Sequence, residues 1–149
     1  MTQTHIHLLT NHLPIIGSFL GTLVLLYGIV IKSSHTRIAS FLIFIVSTIG
    51  AVITYLTGEG AEEKVEGIAD VSKKMIQQHE SFALISLVSL IVLGLTAIIA
   101  WILTKKNPII GNKVALITLF IAILSFALVA RTGYLGGQIR HSELRSTIS

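Results

Sequence analysis

The chain reads as four long apolar runs separated by short polar stretches, at about residues 13–31, 38–57, 81–103 and 114–139. Each run has roughly the 17–25 residues that a helix needs to cross about 30 Å of hydrocarbon. No period-two alternation is sustained over the length of a barrel strand. The pattern predicts an all-α protein, an integral membrane four-helix bundle in which residues 1–149 form one domain. Pro14 opens the first run, where its missing N–H has no intrahelical partner to lose. Pro108 and Gly111 fall in the third connection and are expected to break the helix there. No Lys or Arg precedes the first run, so it lacks the basic leader of a cleaved signal peptide.

Residues 58–80 follow a different rule. Ala61, Val65, Ile68, Ser72, Met75, Ile76 and His79 recur three and four apart, as one stripe of an amphipathic helix does. Glu62, Glu63, Glu66, Asp70, Lys73 and Lys74 occupy its other side. This helix, between spans two and three, is expected to lie on the membrane surface or to run into the third span.

Composition agrees with a membrane chain. Hydrophobic residues make up 52% and charged residues 12%, against about 25% charged in soluble domains. Mean hydropathy is +0.83. The absence of cysteine excludes disulfides, thiolate metal sites and iron–sulfur ligation. The net charge of +4 does not point to nucleic acid, because the basic residues stand at the ends of apolar runs. Lys32 and Arg37 lie in the first connection and Lys105, Lys106 and Lys113 in the third, with no acid in either. All seven acids (Glu59, Glu62, Glu63, Glu66, Asp70, Glu80 and Glu143) lie in the middle connection or the tail. The positive-inside rule then puts both termini and the middle connection outside a bacterial inner membrane, although Lys64, Lys73, Lys74, Arg140 and Arg145 also fall outside.

Histidine carries the candidate chemistry. His12 precedes the first span, His79 the third, and His141 follows the fourth, so a bundle is expected to gather all three at its outer end. Imidazole ligates haem iron, zinc and copper. His5 and His7 near the terminus and His35 in a turn are expected to have no role, and Trp101 reads as an interface anchor. Gly133, Gly137 and His141 share a helix face, with Gly136 beside them, and Gly17, Gly21 and Gly28 follow His12. Bare faces of this kind either admit a flat porphyrin or let helices pack closely. Arg131 lies about 13 Å short of Arg140 along a continuous helix, a depth that asks for a partner: Glu59, Glu62 or Glu63, a haem propionate, or the membrane interface with Tyr134.

Four segments carry a resemblance: Asn11-His12-Leu13-Pro14, Thr57-Gly58-Glu59-Gly60-Ala61-Glu62-Glu63, Gln78-His79-Glu80, and the stretch from Gly133-Tyr134-Leu135-Gly136-Gly137 through Arg140-His141. They are similar to an uncharacterised family of small four-span bacterial membrane domains. That family has a His-Pro or His-x-Pro before span one, Gly-x-x-Ala-Glu-Glu after span two, His-Glu at span three and Gly-x-x-Gly-Gly…His at the end of span four. Some members stand beside Rieske-type or cytochrome-type redox modules. This chain departs in having Arg140 before His141, where the family more often has an aromatic or aliphatic residue.

Three functions remain open from the sequence. One is a b-type cytochrome-like protein binding haem b near the outer face through His79 and His141, with His12 as the alternative ligand and Arg131, Gly133 and Gly137 around it. It would exchange electrons with an outer redox protein or a quinone. Another is a zinc or copper site of His12, His79 and His141 with Glu59 or Glu62, which leaves enzymatic activity undecided. The last is a non-enzymatic membrane subunit or scaffold in contact with lipid, alone or in a homo- or hetero-oligomer. A channel or transporter is disfavoured, since only Arg131 places a charge within a run.

Overall fold

A computed structural model describes residues 3–58 and 73–140. Within them the chain forms helices α1 (Gln3–Thr10), α2 (His12–Val30), α3 (Ser34–Leu56), α4 (Lys73–Lys106) and α5 (Pro108–Arg140). Four helical segments are long and apolar enough to cross a membrane: His5–Val30, Ser34–Leu56, Lys73–Lys106 and Ile109–Gln138. The chain is thus all-helical over these residues and has the build of a multi-pass membrane protein.

Local chemistry sets where each helix stops. Pro14 cannot donate to the Thr10 carbonyl, and the α1–α2 junction falls at Asn11, which keeps helical angles, so the two helices run on almost as one. At the end of α2 the Ser33 N–H bonds to Gly28 O (2.9 Å) and the Lys32 N–H to Ile29 O (3.1 Å), the paired bonds of a Schellman ending. Lys32 takes the left-handed position of that motif, with φ 55°. Ser33 then caps α3, its hydroxyl accepting from Thr36 N at 3.2 Å.

The α4–α5 connection is a single residue, Asn107: the expected break falls at Pro108, but Gly111 takes no part in it. Asn107 Oδ1 accepts from the N–H groups of Ile109 (2.9 Å) and Ile110 (3.3 Å). Pro108 is the first residue of the new helix, a position that needs no N–H. Gly111 lies inside α5, where a Cβ would come within 2.8 Å of Thr104 Cα. Its role is close approach, not helix breaking.

Short connections make α2–α3 and α4–α5 antiparallel hairpins. The contacts of α3 with α4 and of α2 with α5 close the four into a ring, and α1 lies against α3 and α2. One end of the bundle carries His7, His12 and His79, and is called the histidine end below. The other carries Lys32, Arg37, Lys105, Lys106 and Lys113, and is the basic end. The expected amphipathic helix is described only from Lys73, where it is continuous with α4; residues 59–72 lie outside the described residues.

The interior is built from small residues. Gly17 faces Ser47, Gly21 faces Phe44, Gly94 faces Thr48 and Gly133 faces Ile15, each too close for an unshifted Cβ. These glycines serve helix packing, as small residues do in lipid. Buried hydroxyls find carbonyls on their own helix or the next: Ser18 on Pro14 (2.6 Å), Ser47 also on Pro14 (3.2 Å), Thr48 on Leu90 (2.7 Å) and Ser125 on Ser89 (3.2 Å). Leu25, Phe41, Phe44, Leu90 and Leu93 fill the bundle interior, whereas Leu23, Leu26, Ile49, Leu95 and Phe120 point outward. Large aliphatic side chains on the outside and serines within suit hydrocarbon as solvent.

Arg37 also departs from expectation. It is not a loop residue but lies in the first turn of α3, only 4% exposed. Its Nε donates to Ser33 O at 3.3 Å, and Nη1 donates to Asn112 Oδ1 on α5.

Candidate functional site

The stripe of α2 that packs on α3 continues backwards through α1. His7, Thr10, Pro14, Gly17 and Gly21 are spaced three and four apart and so share a face. Thr54 Oγ1 donates to Thr10 Oγ1 at 2.9 Å, and Thr10 Oγ1 donates to Ile6 O at 2.9 Å. One turn further, His7 Nδ1 stands 2.9 Å from Thr54 O. A carbonyl only accepts, so Nδ1 carries the proton and donates; in the neutral ring Nε2 then holds the lone pair. This is how metal-ligating histidines are usually oriented. This bond ties His7, near the terminus, to α3.

His79 lies on the α4 stripe that includes Ser86, Leu90 and Leu93, which turns its ring toward α5. A Cβ on Gly136 would come within 3.1 Å of His79 Cε1 and 3.4 Å of Nδ1. The bare face of Gly136 is therefore occupied by the imidazole itself. Nδ1 of His79 is buried and has no hydrogen-bond partner. The Thr132 carbonyl lies within polar reach of the ring. Nearby, Ser86 Oγ and Thr132 Oγ1 share a hydrogen bond of 2.8 Å.

The other expected residues are distributed differently. His12 is exposed and faces a shallow apolar groove of about 360 Å³ between α2 and α3, lined also by Leu13, Ile16, Leu42 and Val46. His79 instead packs on α5. Arg131 is exposed, with its guanidinium 5.8 Å from the Phe82 ring centroid and 5.5 Å from that of Tyr134. Gly133 is closed by the Ile15 side chain, while Gly137 has nothing within 4 Å of where a Cβ would lie. Among the described residues, the bare face of Gly133 is thus taken by Ile15 and that of Gly136 by His79, while that of Gly137 is open. His141, Glu59 and Glu62 lie outside the described residues. Among the described residues no group of three His, Cys, Asp or Glu side chains converges to hold a metal.

No known protein family, curated protein or solved structure matches the chain. The likeness to the four-span bacterial domains rests on the short motifs alone.

Proposed function

We propose that this chain is a multi-pass membrane protein that holds a transition-metal centre at its histidine end, with His7 and His79 as imidazole ligands. The observation that carries this reading is the Nδ1–H bond from His7 to the Thr54 carbonyl, which leaves Nε2 free to ligate on the same end of the bundle as the unpartnered His79 nitrogen. Zinc(II) and copper(II) match imidazole donors; copper(I) does not suit a chain without cysteine. By the positive-inside rule the site faces the outside of a bacterial inner membrane.

Haem iron uses the same ligands, and haem b in electron transfer at the outer face is the second reading. Its footing is the open face of Gly137, next to the His79 ring against Gly136.

Tag-free protein purified in detergent is expected to bind about one equivalent of zinc(II) or copper(II) by titration calorimetry. His7→Ala and His79→Ala should each weaken binding at least tenfold, and His12→Ala should leave it unchanged. A Soret band with split bands on reduction would favour haem instead. Binding indifferent to both substitutions, or no metal and no haem, overturns the site. A periplasmic reporter fused after Arg145 should be active if the orientation is right.

A further inference from the structure

We infer that the basic end is a binding site for a phosphate-class anion, supplied by an anionic lipid headgroup or by free phosphate, with Arg37 at its base. Arg37 is nearly buried, and its two observed acceptors, the Ser33 carbonyl and the Asn112 amide oxygen, are both neutral. Glu80 is the one carboxylate among the described residues, and it lies at the histidine end. The other acids lie outside the described residues. The 23-residue α3 alone separates the two ends by about 34 Å. Among the described residues the guanidinium therefore has no counter-ion, in a setting where an unpaired charge is expensive.

A second, independent observation points the same way. Trp101 Nε1 and Thr104 Oγ1, both on the last turns of α4, are buried with no hydrogen-bond partner. Indole N–H is only a donor, guanidinium is only a donor, and a hydroxyl can donate. The basic end thus holds buried groups that can donate and have no acceptor among the described residues. Lys32 and Lys113 are exposed beside it, and Lys105 holds its ammonium 5.2 Å from the Trp101 ring centroid. An oxyanion supplies the missing charge and the missing acceptors together, and basic pockets between membrane helices bind phosphate headgroups for this reason.

Trp101 is the only tryptophan, so its emission reports on this end alone. Short-chain phosphatidylglycerol added to the full-length protein in neutral detergent should shift Trp101 emission and raise Tm, both saturably. Short-chain phosphatidylcholine at equal concentration should do neither. If inorganic phosphate reproduces the response, the source is the free anion; if only phosphatidylglycerol does, the source is lipid. Arg37→Gln should abolish saturation. Because that variant loses an interior hydrogen bond and can misfold, Lys32→Gln and Lys113→Gln, both at exposed positions, should each weaken the apparent affinity about threefold. The proposal fails if neither phosphatidylglycerol nor phosphate gives a saturable response, if phosphatidylcholine is equally effective, or if the response ignores all three substitutions.

Discussion

The two ends of the bundle leave opposite chemistry unsatisfied. At the histidine end the buried atoms without partners are Asn11 Oδ1 and His79 Nδ1, an acceptor and a ring nitrogen that accepts in one tautomer. At the basic end they are Trp101 Nε1 and Thr104 Oγ1, which can donate. Lone pairs at one end suit a cation, and N–H and O–H groups at the other suit an anion. The ends also differ in construction. The basic end is tied by three- and one-residue connections and by backbone contact between Gly111 and Thr104. At the histidine end a glycine makes room for a side chain, His79 against Gly136. Tight turns and close backbone approach are features of the basic end, and a side chain seated on a glycine is a feature of the histidine end.

The largest expected effect tests that difference in construction. Gly111→Val drives a branched side chain into the Thr104 backbone and should destabilise the protein by about 3 kcal/mol in denaturant titrations. Gly136→Ala meets only the tip of the His79 ring, so stability should change by less than about 1 kcal/mol while metal affinity falls. Equal stability losses at the two glycines would erase the contrast.

Next in size is the loss of one polar partner at each end. Asn112→Leu strands the Arg37 guanidinium and should cost about 2 kcal/mol. His79→Phe keeps the ring volume and removes an unsatisfied buried nitrogen, so stability should hold or rise while metal binding is lost. A strong destabilisation by His79→Phe would mean that the imidazole is structural. The smallest effect belongs to the middle of the bundle, which both ends share. Thr48→Val removes the bond to Leu90 O between α3 and α4 and should cost about 1 kcal/mol, the usual scale for polar contacts between membrane helices.

Much of the architecture is legible in the residues. The four apolar runs mark the spans, and the three-and-four spacing of Gly17 and Gly21 marks a packing face. That same spacing extends back to Thr10 and His7, which is the signal that would have found His7; reading the terminus as separate from the span hid it. Arg37 was hidden differently. A charged residue a few positions after Lys32 looks like loop, and nothing local reveals that the Ser33 cap starts the helix early enough to bury it. Gly136 was legible as a bare surface, but whether a porphyrin or a neighbouring side chain fills that surface depends on the register of α4 against α5.

The sequence by itself determined that this chain crosses a membrane as helices, because apolar length and the need to satisfy every backbone group in lipid leave a continuous apolar chain no other form. It also determined where the charges stand relative to the spans, since that is a matter of order along the chain. Only the tertiary structure decided which polar atoms meet. Arg37 reaches Asn112 on another helix, His7 bonds to Thr54, and His12 borders the α2–α3 groove while His79 packs on α5. Those pairings follow from helix rotation and register, and these are set by side chains interlocking across interfaces, a property of several segments at once and of no single stretch of residues.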